Sequence, residues 1–476
     1  MINSVEKRLS HDMQALLPGP LVRLLETEQV LRKSYVVGGF VRDALLGRPS
    51  KDVDLEVYGV DYGELAAGLG RHGRVDLVGK SFGVIKLTLP GCETIDFAIP
   101  RKDSKTAPGH QGFEMDLLPE LSLHEATRRR DFTINALLYD PRERQVIDWH
   151  GGLLDLEERR LRVVDRATFT DDPLRVLRAM QFLARFCLEP DPELIDLASS
   201  MKGTFAELAK ERVCDEWLKW AAQSREPSRG LEFLRVSGWL THFVELEQMR
   251  GVPQDPEWHP EGDVWSHTKH CCDAMADLAE WQALGKEDRL VFMLAILLHD
   301  IGKASTTSEV EKNGRLRIVS PGHEAVSARE AKGFLEKLGC AKVIQNRVVP
   351  LVANHMIHLK DPTDRAVRRL AHRLAPETIR GLCLVMKADS QGRPPKPKAV
   401  PETVTALLKR SEELVLAQGA PKPLLQGRDL LPLGFRPGPG LGEVLKQAFE
   451  AQLDGEFRDR EGALNWLRQA RPESSA

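Results

Sequence analysis

The sequence predicts an α+β head followed by wholly helical regions. Three observations carry this. Residues 34–165 alternate short apolar strand signals with helical ones. From about residue 172 the apolar positions recur at helical spacing only. A Pro- and Lys-rich stretch from Gln391 to Lys398 reads as a linker before a last helical tail. Taken in order, residues 1–33 read as mostly helical, with Leu21, Leu24 and Leu25 at helical spacing after a break at Pro18-Gly19-Pro20. Tyr35-Val36-Val37 reads as a strand, Gly38-Gly39 as a turn, and Phe40 to Leu46 as a helix stopped at Gly47. Val53 to Val57, Val84 to Leu89 and Thr94 to Ala98 read as further strands. Leu174, Leu177, Ala179, Phe182 and Phe186 form the first helical face of the second region. Trp258 to Asp263 reads as a loop that opens a His-rich helical unit over 264–390, and the tail is interrupted between Gly434 and Gly440.

A chain of 476 residues is too long for one core, so several structural units are expected. Hydrophobic residues make up 42% and charged residues 29%, which argues against disorder. The formal charge is −3, so a protein that coats nucleic acid by bulk charge is excluded, and any RNA contact must use local basic patches. The longest apolar run, Leu290 to Leu298, is far too short to span a membrane, and no secretory signal is visible. Seven cysteines with no C-x-x-C pair read as reduced thiols of a cytoplasmic protein.

The chemistry begins at Val37-Gly38-Gly39-Phe40-Val41-Arg42-Asp43. A strand, a glycine turn and a helix N-terminus offer free N–H groups to a phosphate, and Arg42 adds a charge one turn in. Asp52 and Asp54, two apart at a strand start, point to one face. Like charges held together there favour a hard divalent cation such as Mg²⁺. With the turn just upstream, metal-assisted phosphoryl transfer is the economical reading, and Asp96 is a candidate third carboxylate.

These motifs resemble the polymerase-beta-like nucleotidyltransferases of the class II CCA-adding enzyme and bacterial poly(A) polymerase family. The resemblance continues at Arg128-Arg129-Arg130-Asp131-Phe132-Thr133-Ile134-Asn135, and it implies that Arg130, Asp131 and Asn135 hold the sugar and phosphates of an incoming nucleotide. Gly151-Gly152-Leu153-Leu154-Asp155-Leu156 with Leu161-Arg162 is similar to the motif joining head to neck, and Glu211-Arg212-Val213 with Glu216 to a further one. The resemblance implies nucleotide binding by Gly38, Gly39 and Arg42, catalysis at Asp52 and Asp54, and the partners tRNA, CTP and ATP.

Asp172, Arg175, Arg178 and Gln181 fall three apart and form one ridge on a helix that Asp172 caps, with Pro173 in its first position. Cytosine and adenine both present an amino donor beside a ring-nitrogen acceptor. An aspartate accepts and an arginine donates, so Asp172 with Arg175 matches C and A and mismatches G and U. Arg178 supports them. A capped helix with an i,i+3 salt bridge is the bland alternative. Gln181 stands where the family usually has arginine. Leu77 to Ile85 has the pattern of CCA-adding enzymes rather than of poly(A) polymerases, and the polar segment Arg101 to Phe113 matches the loop that enzymes stopping at CC lack. Full CCA addition is favoured, with A-only addition and poly(A) synthesis as alternatives.

A second site is spelled by His267, His299-Asp300, His323, His355 and Asp389. Imidazole and carboxylate together suit a divalent metal. The order resembles the HD phosphohydrolase superfamily, which implies one metal at His267, His299, Asp300 and Asp389, and a second at His323 and His355. The rival reading of the whole chain is therefore an HD phosphodiesterase whose head only binds RNA. Arg365, Arg368, Arg369, His372 and Arg373 form one basic helix face, read equally as an RNA contact or a solvated surface. The expected organisation is an N-terminal helical extension (1–33), a nucleotidyltransferase head (34–165), a helical neck and body (166–258), an HD domain (259–392), and a linker with helical tail (393–476).

Overall fold

The computed structural model describes residues 7–10, 13–48, 52–77, 83–91, 94–105 and 113–470. Residues 78–82 and 106–112, on which part of the distinction between CCA-adding and other enzymes rests, lie outside them, as does Cys92. The chain divides into two compact units, Met1–Trp220 with Arg229–His242, and Ala221–Ser228 with Phe243–Ala476.

The first unit is built on strands β1 (Lys7–Ser10), β2 (Ser34–Val37), β3 (Asp54–Val57), β4 (Arg74–Asp76), β5 (Val84–Thr88), β6 (Thr94–Ala98), a separate hairpin of β7 (Arg101–Lys105) and β8 (Phe113–Leu117), β9 (Leu138–Asp140) and β10 (Gln145–Asp148). Eight of these form one mixed sheet in the order β1-β10-β9-β2-β3-β6-β5-β4. β3 lies in its middle, antiparallel to β2 and parallel to β6. Val36, Leu55, Val57 and Phe97 are accordingly buried. The N-terminal region departs from the helical expectation: Lys7–Ser10 pairs antiparallel with β10, and Pro18-Gly19-Pro20 starts the helix Gly19–Thr27 instead of breaking one. Pro within the first turn lacks the N–H that would have no partner there, which is why it begins helices well.

Gly38 has φ +68°, and the helix Gly39–Leu45 starts directly after it. A side chain at Gly38 would be strained by that φ and would meet the Arg130 guanidinium at 3.5 Å. The motif at Gly151-Gly152 is held by Asp148, whose carboxylate accepts from the backbone N–H groups of His150, Gly151, Gly152 and Leu153 at 2.9–3.1 Å. A Cβ at Gly152 would lie 2.3 Å from the Thr133 carbonyl oxygen, so glycine is needed for that close approach. The helix Leu174–Phe186 follows Pro173, one residue later than expected, and buries Leu174, Leu177, Ala179, Phe182 and Phe186.

The second unit is mainly helical. Its central helix, Lys286–Leu298, is buried continuously from Val291 and delivers His299 and Asp300 at its end. Around it stand helices Val264–Asp277, His323–Lys337, Lys342–Asn354 and Ile379–Gln391. A β-hairpin, Ser308–Lys312 with Arg315–Val319, is inserted among them. The expected linker is a bonded strap: Arg393 donates to Asp389 at 2.6 Å, and Lys396 donates to the carbonyls of Glu257 and Trp258. The tail helices Pro439–Asp454 and Arg460–Ala470 enclose their own small core of Leu430, Val444, Ala448, Phe457 and Leu467. The basic face is partly exposed and partly engaged by the tail: the Arg365 side chain is 61% exposed, and Arg373 is exposed too. Arg365 and Arg369 pair with Asp454, and Arg368 donates to the Leu453 carbonyl, so the face clamps the C-terminus of a tail helix. Among the described residues no helix is long and apolar enough to cross a membrane.

Candidate functional site

Sheet register assembles the first site. Val37 lies opposite Asp54, and Asp54 lies beside Asp96 on β6. The Gly38 turn, which follows Val37, is thereby set beside the carboxylates. Asp52 and Asp54 line one cavity of about 680 Å³ with Gly38, Gly39, Arg42, Arg130, Asp131, Asn135, Asp172, Arg175 and Arg178. Nine cationic side chains against six acidic ones make the lining suited to a polyanion. Burial, the neighbouring Asp96 charge and then Asp52 raise the Asp54 carboxyl above its usual range, with Arg130 opposing. Carboxylates that repel in this way have the donor chemistry for Mg²⁺. Lys86 holds Asp96 at 2.8 Å.

Several of the residues singled out for nucleotide binding form a network with one another. Arg42 is 4% exposed, paired with Asp43 at 2.7 Å, bonded to the Asn135 carboxamide, and stacked over Phe186. Asp131 accepts from Asn135 at 2.9 Å and from Arg178 at 2.8 Å. Burial alone would raise Asp131, but Arg178 and Asn135 bring it down to about 2. Glu56, two residues beyond Asp54 on the same strand face, anchors Arg129 at 2.5 Å and Arg130 at 2.8 Å. It was not singled out in the sequence, although the alternation Asp52, Asp54, Glu56 carries the signal.

The salt bridge of the bland alternative is not what holds Asp172 and Arg175; each has its own anchor. Arg212 holds Asp172 at 2.8 Å, and the Leu174 N–H donates to it at 3.1 Å. Arg175 donates to the carbonyls of Thr168 and Arg129, each at 2.8 Å. Both side chains keep donor or acceptor capacity toward the cavity. Gln181 lines it too, 2% exposed, with an Nε2 that has no hydrogen-bond partner among the described residues.

The second site lies wholly in the second unit. Asp300 bridges two clusters. Its Oδ2 is 3.6 Å from His267 Nε2 and 3.2 Å from His299 Nε2, and its Oδ1 is 3.2 Å from His323 Nε2 and 3.6 Å from His355 Nε2. Asp389 Oδ1 is 3.1 Å from His267 Nε2. The sequence reading placed Asp300 in the first set only; the geometry shares it. Glu261, also missed, takes His267 Nδ1 at 2.7 Å and so turns Nε2 inward. Burial alone would raise Glu261, but bonds from His259 and His267 bring it to about 2. Burial lowers His299, which favours the neutral imidazole that a metal requires.

A turn-and-helix phosphate cradle beside sheet carboxylates has the chemistry a nucleotidyltransferase needs, and the histidine–aspartate clusters have donors suited to a divalent metal. Residues 34–162 match the Poly A polymerase head domain, and residues 264–390 match the HD domain. A multifunctional CCA protein of Xanthomonas campestris pv. campestris is 35% identical over 432 residues, 87% of this chain and 97% of that one. One from Halorhodospira halophila is 37% identical over 328 residues, 68% and 73% of the two chains. Among solved structures, the Bacillus stearothermophilus CCA-adding enzyme in complex with CTP aligns with TM-score 0.63 at 19% identity, covering 95% of this chain and 98% of that one. The chain belongs to the family of multifunctional CCA proteins.

Proposed function

We propose that the protein is a tRNA nucleotidyltransferase that adds C, C and A to the tRNA 3′ end from CTP and ATP without a template, in the cytoplasm. The observation that carries this is the sharing of one cavity by Asp52, Asp54, the Gly38-Gly39 turn and the Asp172 and Arg175 pair. Asp52 and Asp54, with Asp96 as third carboxylate, would hold Mg²⁺, which when bound activates the 3′-hydroxyl and neutralises the triphosphate. Gly39 and Arg130 cradle the phosphates, with Arg42, Asp131, Asn135 and Arg178 bracing the wall behind. Asp172 accepts the amino group of cytosine or adenine, and Arg175 donates to the adjacent ring nitrogen. Guanine and uracil present the opposite pattern and leave buried groups unpaired.

The HD cluster is a second, phosphohydrolase centre in this reading. His267, His299, Asp300 and Asp389 hold one divalent ion, and Asp300, His323 and His355 a second; when bound, such ions polarise a phosphoester. Asp54→Ala abolishes nucleotide incorporation and leaves phosphoester hydrolysis, while His299→Ala does the reverse. Incorporation that survives Asp54→Ala removes the head assignment, and hydrolysis that survives His299→Ala removes the HD assignment.

A further inference from the structure

Cys271 follows His267 by four residues on the helix Val264–Asp277, so the two side chains share one face. Both are wholly buried. Cys271 Sγ is 3.3 Å from His267 Nε2, the nitrogen turned inward by Glu261. The ligand atoms of His267, Cys271, His299 and Asp389 all lie within 4.8 Å of one another. Neighbouring donors about 2.0–2.3 Å from one ion stand roughly 3–4 Å apart. The separations fall in that range: 3.3 Å from Cys271 to His267, 3.1 Å from His267 to Asp389, 4.0 Å from His299 to Asp389, and 3.2 Å from His299 to Asp300, so Cys271 would join His267, His299, Asp300 and Asp389 as a fifth donor.

Two independent observations aim these groups at a ligand. His299 is inaccessible to solvent, its Nδ1 faces the Ile296 carbonyl, and its Nε2 makes no well-aligned hydrogen bond among the described residues but faces Asp300 Oδ2 at 3.2 Å and the rest of the cluster. Gly392 packs against Cys271 so closely that a Cβ there would lie 2.4 Å from Sγ. The next residue, Arg393, holds Asp389 at 2.6 Å. One strap therefore fixes both the sulfur and the carboxylate. By contrast, the Asp300, His323 and His355 group contains no sulfur.

We propose that Cys271 is a thiolate ligand of the first metal position, which makes it a site for a thiophilic divalent ion such as Zn²⁺ or Co²⁺ in preference to Mg²⁺. On binding, the thiol releases its proton to solvent and the sulfur donates an electron pair to the ion. The second position, with oxygen and imidazole donors only, is the less selective of the two. The inference rests on the reading of the cluster as a metal centre.

The test uses the full chain freed of metal with a chelator and titrated with Co²⁺. Bound cobalt is measured by metal analysis, and sulfur-to-cobalt charge transfer by near-ultraviolet absorption. The wild type binds Co²⁺ with a charge-transfer band from the first equivalent. Cys271→Ser binds on the order of tenfold more weakly without the band, while Cys272→Ser keeps it. Cobalt bound by the wild type with no band, or a band that persists in Cys271→Ser, overturns the ligand assignment and leaves the metal centre standing. No cobalt bound by the wild type overturns the metal centre itself. The wild-type spectrum decides the matter even if the variant folds poorly.

Discussion

Removing the Asp172 carboxylate should damage base choice far more than removing the arginine that holds it. Asp172→Ala deletes the only acceptor of the proposed Asp172–Arg175 reading pair, so the amino group of C or A loses its partner. An unpaired buried polar group costs about 1–3 kcal/mol, or roughly 5- to 150-fold in the ratio of kcat/KM for CTP over UTP and for ATP over GTP. Arg212→Ala leaves the carboxylate in place and removes only its 2.8 Å tether. That pair is about a quarter exposed on each side, so its loss is worth about 1 kcal/mol or less, and selectivity falls at most about fivefold. The assay is steady-state incorporation of each of the four nucleotides onto a tRNA lacking its 3′ end. Unchanged ratios in Asp172→Ala, or a larger loss in Arg212→Ala than in Asp172→Ala, would refute the base-reading role.

Glu56→Gln leaves Arg129 and Arg130 without their shared anion. Their side chains are 22% and 26% exposed, so water compensates in part and the cost is about 2 kcal/mol, below that of a fully buried pair. The melting temperature falls and the nucleotide KM rises about tenfold with a smaller change in kcat; an unchanged KM removes the anchoring role. The folded Asp131 pKa is about 2, below its ordinary 3.8, so its contribution is full above about pH 4 and is lost as pH falls through 2. Asp131→Asn should therefore be destabilised relative to wild type by a constant amount from pH 7 to 5, and the gap should close between pH 4 and 2. A gap that closes above pH 5 in thermal melts contradicts that pairing.

Much of both sites was legible because it lies within short stretches of chain. Asp52 and Asp54 declare a shared face by their spacing, and Gly38-Gly39 declares a turn. The histidines and aspartates of the second site appear in order along helices. What stayed hidden depends on partners far away in sequence. Glu56 gains meaning only when Arg129 and Arg130 fold over it. Glu261 gains it when His267 Nδ1 reaches it. The ridge at Arg365 and Arg369 has the spacing of an RNA-binding face, yet Asp454, 85 or more residues onward, occupies it. Lys7–Ser10 has no strand signature of its own and is a strand because β10 offers it an edge. Asp172 lies just before the helix that carries Arg175, and although both line one cavity, spacing could not tell that each is held by other groups rather than by the other. Cysteine arithmetic passed over Cys271 because it considered spacing to other cysteines and not the four-residue step from His267.

Product sizing on a tRNA that ends before its CCA tests the central claim most directly. With CTP alone the tRNA should grow by two nucleotides, with ATP alone by none, and with both by three, and Asp52→Ala should extend it under no condition. Extension by a single A only on a tRNA already ending in CC, a long ladder with ATP alone, or growth that survives Asp52→Ala would contradict the account.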